Sequence, residues 1–248
     1  MKAMVLAAGL GTRLAPLTID RPKALVEIGG RTMLEIALER LRSFAIREVI
    51  VNVHHFADQI VDYLAAHKNF GMEIAISRER VLLDTGGGLK QAGWFFHNHG
   101  TGREPFLVHN VDVVSTIDFN RMVKFHHEHG ALATLAVQKR KTTRYLLFDE
   151  KSRLCGRRSE SGDGGEFVRP VGAVEALAFC GIHVISPRLI PLMSEQGAFS
   201  IIATYLRLAG HGEEILGFSA DEFYWCDLGK AENVARAERE LKQRTVLQ

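Results

Sequence analysis

The sequence has few cysteines, little net charge and no long apolar run, and each absence excludes a class of protein. Its three cysteines, Cys155, Cys180 and Cys226, include no CxxC pair, so neither a disulfide framework nor a cysteine zinc site is indicated. The 31 basic and 29 acidic residues leave a net charge of +2, which gives no strong field to attract nucleic acid or a membrane. The apolar run at residues 4–8 is too short for a signal segment or a membrane span. We therefore expect a cytoplasmic protein without nucleic-acid or membrane partners.

Short β-branched runs alternate with amphipathic stretches across the first half of the chain, which is typical of βα units that form a mainly parallel sheet. With 46% hydrophobic residues in a 248-residue chain, one large core can be buried. We expect a single α/β domain. Strands are predicted at residues 2–7, 48–53, 72–77, 105–109 and 131–137, and the clearest helices at residues 32–43 and 55–66.

The pattern loosens after residue 137. The polar, glycine-rich stretch 151–165 predicts a surface excursion or hairpin, which is a candidate mobile lid. Strand character returns at residues 176–185, and Pro187 is a candidate helix opener. A final strand pair is predicted near residues 214–226, and a helix at residues 231–242.

The first predicted strand runs directly into the segment LAAGLGTRL, which suits an anion site. Small residues at Ala8, Gly9 and Gly11 allow backbone N–H groups to approach a phosphate closely. Arg13 can fork onto phosphate oxygens, and Lys23 can neutralise a leaving pyrophosphate. The spacing matches neither a dinucleotide-binding turn nor a P-loop. The local alternative is a simple tight turn with Arg13 and Lys23 as solvated charges.

The segment FLVHNVD reads as an apolar strand that ends in an acidic residue, Asp112. Open α/β sheets bind ligands at the carboxyl ends of their strands, so Asp112 is a candidate metal ligand. Its alternative role is to cap a helix or close a turn.

Taken together, LAAGLGTRLAPLT and the Pro22-Lys23 pair that follows resemble the signature of the sugar-1-phosphate nucleotidyltransferases. The resemblance implies a Rossmann-like, GT-A-type α/β fold with a mixed, mainly parallel central sheet flanked by helices. It implies transfer of a nucleotidyl group from a nucleoside triphosphate to a sugar 1-phosphate, with release of pyrophosphate. Gly9, Gly11, Thr12 and Arg13 would hold the triphosphate. Residues 1–140 would bind the nucleotide, residues 141–228 the acceptor, and residues 229–248 would form the C-terminal helix.

The same resemblance implies a Mg²⁺ site. Asp112 matches the strand-end aspartate of the family, and the segment YWCDLG is similar to its W-x-D-[IL]-G motif, whose aspartate is here Asp227. Mg²⁺ favours few carboxylates together with phosphate oxygens and water. From its local sequence alone, Asp227 could also cap the helix that begins near Lys230.

A second glycine-rich segment, LDTGGGL, follows Glu79. The resemblance implies that Gly86 and Gly87 offer backbone contacts to the nucleobase and that Glu79 accepts N–H groups from the base edge. Local sequence alone also allows an ordinary loop and helix start.

For the acceptor, AFCGIH resembles the family segment whose glycine, here Gly181, approaches the sugar. Glu166 lies where an acidic residue binds sugar hydroxyls, although the family's Glu-Lys-Pro triplet is replaced by EFVRP. Asn110, at the end of the strand that leads to Asp112, is a further substrate-binding candidate.

Within the family, the chain looks most like the short N-acetylmuramate 1-phosphate uridylyltransferase and mannose 1-phosphate guanylyltransferase branch. The nucleobase stays open, and so does a bacterial-type cytidylyltransferase that uses phosphocholine. A catalytically silent nucleotide-sugar sensor is a further alternative. We expect a monomer or small homo-oligomer.

The clustered histidines could suggest a metal site, but they have no matching acidic or cysteine partner nearby in sequence, so we predict polar residues that flank helices. They are His54, His55, His126, His127 and His129.

Overall fold

The computed structural model describes residues 1–97, 104–160, 165–170 and 172–243. Its strands are β1 (Ala3–Leu6), β2 (Glu27–Ile28), β3 (Arg31–Thr32), β4 (Glu48–Val53), β5 (Glu73–Arg78), β6 (Phe106–Asn110), β7 (Val113–Ser115), β8 (Ala133–Gln138), β9 (Arg144–Phe148), β10 (Leu154–Ser159), β11 (Glu166–Phe167), β12 (Glu175–Ile185), β13 (Ile215–Ser219) and β14 (Trp225–Asp227). Its helices are α1 (Met33–Ser43), α2 (Ala57–Ala66), α3 (Asp84–Gln91), α4 (Trp94–His97), α5 (Phe119–Glu128), α6 (Ile201–Gly210) and α7 (Ala231–Gln243).

The parallel part of the central sheet has the order β6-β1-β4-β5. Side chains alternate between its faces. Ala3 and Val5 of β1 belong to one core cluster, and Met4 between them belongs to the other. The first cluster includes residues of α1, α2, α5 and α7, whereas the second includes residues of α3 and α6. Helices thus cover both faces, and the mixed, mainly parallel α/β fold predicted from the sequence is confirmed.

The predicted helices at residues 32–43 and 55–66 are α1 and α2. In α1 the Thr32 side chain accepts a hydrogen bond from Glu35 N and caps the first turn. Leu34, Leu38 and Leu41 are fully buried on one side of this helix, and each contributes roughly 1.5–3 kcal/mol through removal of apolar surface from water. The amphipathic pattern was therefore sufficient to predict these helices.

Strand β12 is the longest strand of the described chain and connects the two parts of the fold. Its residues Ile182 to Ile185 pair antiparallel with β6, while Glu175 to Leu177 pair with β9. The register against β8 shifts between Phe179 and His183, which marks a bulge. Because β12 runs antiparallel to β6, its first half extends beyond the carboxyl ends of the parallel strands. β9, β10 and β11 follow one another in the sheet from this half of β12 outward.

In the second half of the chain, the structure differs in detail from two of the sequence predictions. The strands predicted near residues 214–226 do not pair with each other, because β13 joins β8 in parallel and β14 joins β7 antiparallel. The excursion predicted at residues 151–165 contains β10, which pairs with β9 and β11. Residues 161–164 of the candidate lid lie outside the described residues.

No helix in the described part of the chain combines the length and the apolar character that a membrane crossing requires.

Candidate active site

Asp112 and Asp227 lie side by side although they are far apart in sequence. Strands β7 and β14 pair so that Asp227 stands opposite Val113, the residue after Asp112. The N–H of Leu228 donates to the carbonyl oxygen of Asp112 at 2.8 Å. The structure therefore brings the two predicted metal ligands to the same place, at the carboxyl end of β6.

Gly229 lies at the centre of this arrangement. A Cβ atom at Gly229 would be 2.8 Å from Asp227 Oδ1, 3.0 Å from Arg13 Nη2 and 3.3 Å from Asp112 Oδ2. The Gly229 N–H also donates to Asp227 Oδ1 at 2.7 Å. Sequence reasoning quoted this glycine within a motif but gave it no role. The sequence signal that could have identified it is its position directly after Asp227 and Leu228.

Lys23 joins the same cluster. It begins a short 3-10 turn after Pro22, and its ammonium group forms an ion pair with Asp112 Oδ2. Gly11, at φ 69°, lets the first loop pass close to this lysine, because a Cβ there would lie 3.0 Å from Lys23 Cβ. The two predicted cationic residues, Arg13 and Lys23, thus meet the two carboxylates.

The turn after β1 offers unused backbone donors. Among the described residues, no acceptor is hydrogen-bonded to the N–H groups of Ala8, Gly9 or Gly11. A Cβ at Gly9 would meet no atom within 4 Å. Thr12 and Arg13 follow in the 3-10 turn Thr12–Leu14, and Arg13 is exposed. The geometry suits an anion held by amide groups and a guanidinium.

Glu79 has partners inside the fold. Its Oε1 accepts from Asn52 Nδ2 at 2.7 Å, and its Oε2 accepts from Leu83 N at 2.9 Å. Asn52 Oδ1 in turn accepts from Ala7 N at 2.7 Å. Glu79 is buried, so it links the start of the first loop to the segment before α3. Sequence reasoning gave Asn52 no role in the site.

The second glycine run also faces inward. The N–H groups of Gly86 and Gly87, predicted to contact a nucleobase, both donate to the carbonyl oxygen of Phe199. A Cβ at Gly86 would lie 2.4 Å from the Phe199 ring, and one at Gly87 would lie 2.5 Å from Gly197 O. These glycines allow α3 to pack against residues 197–199, and their amides are not available as base donors. The helix itself begins at Asp84.

On the acceptor side, Gly181 and Asn110 are neighbours. Gly181 lies in the β12 bulge at φ 72°, and a Cβ there would be 2.7 Å from Asn110 Nδ2. The left-handed backbone and the close side chain both require glycine. The structure therefore brings two predicted substrate residues together beside the Asp112 end of β6.

Glu166 lies elsewhere. It is in β11, at the edge of the sheet and three strand positions from β12, about 14 Å at normal strand spacing. Its exposed carboxylate forms an ion pair with Arg157 at 2.6 Å. The structure does not bring it to Gly181 and Asn110, because β9 and β10 intervene.

An arginine that sequence reasoning did not select lies near the bulge. The Arg140 guanidinium carbon is 3.7 Å from the centre of the Trp225 ring, and its Nη2 donates to Phe179 O at 2.8 Å. Trp225 Nε1 donates to Cys180 O at 2.7 Å. Trp225 carried a sequence signal as part of the motif that contains Asp227, and Phe179 and Cys180 belong to the AFCGIH segment, whereas Arg140 carried none.

The contacts of His126 and His54 indicate a structural role for these two histidines. His126 is buried, contrary to a helix-flank position, and it bonds Thr134 Oγ1 and Ser186 Oγ at 3.0 Å each. Burial lowers its pKa to about 4. His54 Nδ1 contacts Glu79 O at 2.9 Å.

The chain is similar to known nucleotidyl transferases. Residues 2–154 match the family described as nucleotidyl transferase. The N-acetylmuramate alpha-1-phosphate uridylyltransferase of Caulobacter vibrioides is 34% identical over 257 aligned positions, which cover 97% of both chains. The catalytic subunit beta of the Danio rerio mannose-1-phosphate guanylyltransferase is 31% identical over 93% of this chain, but the match spans 61% of that relative.

Solved structures share the fold. HddC from Yersinia pseudotuberculosis, complexed with GMP-PN, aligns with a TM-score of 0.77 over 97% of this chain and 99% of its own, at 21% identity. A UDP-glucose pyrophosphorylase complexed with UDP-glucose aligns with a TM-score of 0.77 over 98% of this chain and 99% of its own, at 17% identity.

The chain belongs to the nucleotidyl transferase family. It is an enzyme that transfers nucleotidyl groups, as the first loop and the two aspartates predicted.

Proposed function

We propose that this enzyme joins a nucleoside triphosphate to a sugar 1-phosphate, forming a nucleoside diphosphate sugar and pyrophosphate. The observation that carries the proposal is the convergence of Asp112, Asp227 and Arg13 on Gly229, with Lys23 paired to Asp112. Two carboxylates and two cations at the carboxyl ends of parallel strands suit a reaction between phosphates.

The first loop would hold the triphosphate. The amides of Ala8, Gly9 and Gly11 are available as donors, and Thr12 and Arg13 follow them directly. Arg13 would fork onto phosphate oxygens, since a guanidinium matches their geometry. A triphosphate held in this way would have its α-phosphorus near the two aspartates.

The residues present fit a Mg²⁺ ion. Asp112 and Asp227 point at the same small volume, and among the described residues no third His, Cys, Asp or Glu side chain joins them in a metal-holding group. A pair of carboxylates leaves the remaining positions to phosphate oxygens and water, as Mg²⁺ favours. When bound, the ion would neutralise charge on the phosphates and orient them.

The reaction needs no covalent enzyme intermediate. A phosphate oxygen of the acceptor attacks the α-phosphorus and forms a new P–O bond, while the bond from the α-phosphorus to the bridging oxygen breaks and pyrophosphate leaves. Lys23 and Arg13 would stabilise the charge that moves to the leaving group. The acceptor phosphate is already anionic, so no general base is required.

Asn110 and Gly181 would contact the acceptor sugar, because both lie beside Asp112 on the side where β12 overhangs the sheet. Glu79, Gly86 and Gly87 are better explained as positioning residues than as base contacts. Their hydrogen bonds fix the loop between β5 and α3 against Asn52 and Phe199. We further propose the cytoplasm as the compartment, where nucleoside triphosphates are available.

The test is pyrophosphate release with Mg²⁺ across UTP, GTP, CTP and dTTP, each combined with a panel of sugar 1-phosphates and with phosphocholine. We expect turnover with at least one sugar 1-phosphate and loss of turnover when EDTA is added. Activity with phosphocholine alone would replace the proposal with a cytidylyltransferase. Silence across the whole panel, with nucleotide-sugar binding retained, would favour a sensor.

A further inference from the structure

A group of aromatic and cationic side chains lies beside the acceptor residues. It consists of Arg140, Tyr145, Arg158 and Trp225, here called the arginine–aromatic cluster. Arg140 stacks on Trp225, which comes two residues before Asp227. Arg158 lies over Tyr145, 5.6 Å from the ring centre, and the two residues are direct cross-strand partners in β10 and β9.

The two stacked pairs lie on the same side of the sheet. Leu146 of β9 belongs to the core cluster beneath α6, so its neighbour Tyr145 and the partner Arg158 face the opposite side. Trp225 and Cys180 belong to that opposite side. Burial lowers the pKa of the Arg140 guanidinium, and the nearby Cys180, Asp227 and Tyr145 raise it in part. The Thr142 N–H donates to Tyr145 Oη at 3.2 Å, so Tyr145 lies beside the segment that follows Arg140.

The charges around Arg140 are distributed unevenly. The residues before and after it in sequence are both paired with carboxylates: Lys139 with Glu175 at 2.8 Å and Lys141 with Glu160 at 3.2 Å. Within the described ranges, no carboxylate forms an ion pair with Arg140 or Arg158.

Arg140 also keeps an unused donor. Its Nε is buried and has no hydrogen-bond partner among the described residues. A buried donor without an acceptor costs free energy, and for a charged group the cost is larger. A guanidinium held flat on an aromatic ring is pre-organised to receive a planar anion such as a carboxylate.

We propose that the acceptor is a sugar 1-phosphate that carries a second acidic group, and that Arg140 and Arg158 select this group. The inference rests on the proposed function, because it assigns the acceptor class of the same site. The 1-phosphate lies at Asp112 and Asp227, and the second anion lies on the arginine–aromatic cluster, near the β12 bulge that holds Gly181.

The experiment uses two acceptors that differ by one acidic substituent. N-acetylmuramate 1-phosphate carries a lactyl ether carboxylate, and N-acetylglucosamine 1-phosphate lacks it. The ratio of their kcat/KM values is measured for the wild type and for Arg140→Met, Arg140→Lys and Arg158→Met. Lys141→Met is the matched control, because it removes an adjacent positive charge that is 87% exposed and already paired with Glu160.

We expect the wild type to favour the acidic acceptor at least tenfold, which corresponds to about 1.4 kcal/mol, because a hydrogen bond between a guanidinium and a carboxylate is charge-assisted. Arg140→Met and Arg158→Met should each reduce the ratio roughly tenfold, mainly through KM of the acidic acceptor, with KM of the nucleotide unchanged. Arg140→Lys should restore part of it, and Lys141→Met should leave it unaltered.

Equal use of both acceptors by the wild type would overturn the inference and leave nucleotidyl transfer intact. So would a ratio that Arg158→Met, an exposed position, does not change. Absence of pyrophosphate release with any acceptor would instead count against the proposed function. If Arg140→Met unfolds, Arg140→Lys and Arg158→Met decide the question.

Discussion

The N–H of Leu228 donates to the carbonyl oxygen of Asp112 at 2.8 Å, and this bond sets the position of both candidate metal ligands. It continues the antiparallel pairing of β14 with β7. Because the contact is between backbone atoms, it occupies no carboxylate oxygen; Lys23 pairs with Asp112 Oδ2, and the Gly229 N–H donates to Asp227 Oδ1. The fold therefore fixes the site before any ligand is present.

Asp112→Asn and Asp227→Asn should each reduce turnover about a hundredfold or more, because each removes a negative charge from the centre of the site without changing its shape. The melting temperature should stay within a few degrees of the wild type. Steady-state pyrophosphate release and a circular dichroism melt measure the two effects. Asp62→Asn, at an exposed position of α2, is the control, and undiminished activity of Asp112→Asn would contradict the assignment.

Gly9→Ala should weaken nucleotide binding without weakening the fold. The new methyl group would meet no protein atom within 4 Å, but it would occupy the space where a phosphate approaches the loop. We expect KM for the nucleoside triphosphate to rise roughly tenfold, the effect of losing about 1.4 kcal/mol. Gly172→Ala also places a methyl group in open space and should leave KM unchanged. Equal KM values for both variants would argue against a phosphate at this turn.

Glu79→Gln separates a positioning role from a base contact. One amide NH₂ would face Asn52 Nδ2 or Leu83 N, which are both donors. The free energy of unfolding should then fall by about 1–3 kcal/mol, as measured by urea denaturation. Glu73→Gln, exposed on the edge strand β5, should be neutral. If Glu79 reads the base instead, the nucleotide KM will change while the free energy of unfolding does not.

Stability should decrease as the pH falls below about 6.5. Burial lowers the pKa of His126 to about 4 and that of His183 to about 3, so the unfolded chain binds protons that the folded chain does not. Stability is complete above the ordinary histidine pKa and is lost toward pH 4, by about 1.4 kcal/mol per pH unit for each histidine.

Urea denaturation at pH 7.5 and 5.0 measures this slope. His126→Gln should reduce the slope by the share of one histidine, because His183 still contributes, whereas substitution of the exposed His211 should leave the slope unchanged. A midpoint that is the same at both pH values would contradict the expected linkage.

The sequence was sufficient for the parallel strands and the first loop, because their signals are local. β1 is a continuous apolar run, β4 is apolar except for Glu48 and Asn52, and the loop after β1 combines small residues with ordered cations. Asp112 and Asp227 could be paired only through motif resemblance, since their contact depends on the pairing of β7 with β14.

Other site assignments depended on distant partners that a local pattern does not contain. The glycines at 86 and 87 look like a ligand loop, but Phe199 accepts their hydrogen bonds. Glu166 follows a plausible spacing, yet two intervening strands hold it at the edge of the sheet. Arg140 stacks on Trp225. The two residues are far apart in sequence, so no local pattern around Arg140 indicates this contact.

Because the first half of β12 extends beyond the end of β6, the strands attached to it are separate from the strands that hold the candidate active site. β9, which carries Tyr145, pairs with the first residues of β12, beyond the end of β6, and β10, which carries Arg158, pairs with β9. The loop and aspartates attach to the parallel strands and to β7. Substitutions on β9 and β10 should therefore leave the first loop, Asp112 and Asp227 in place.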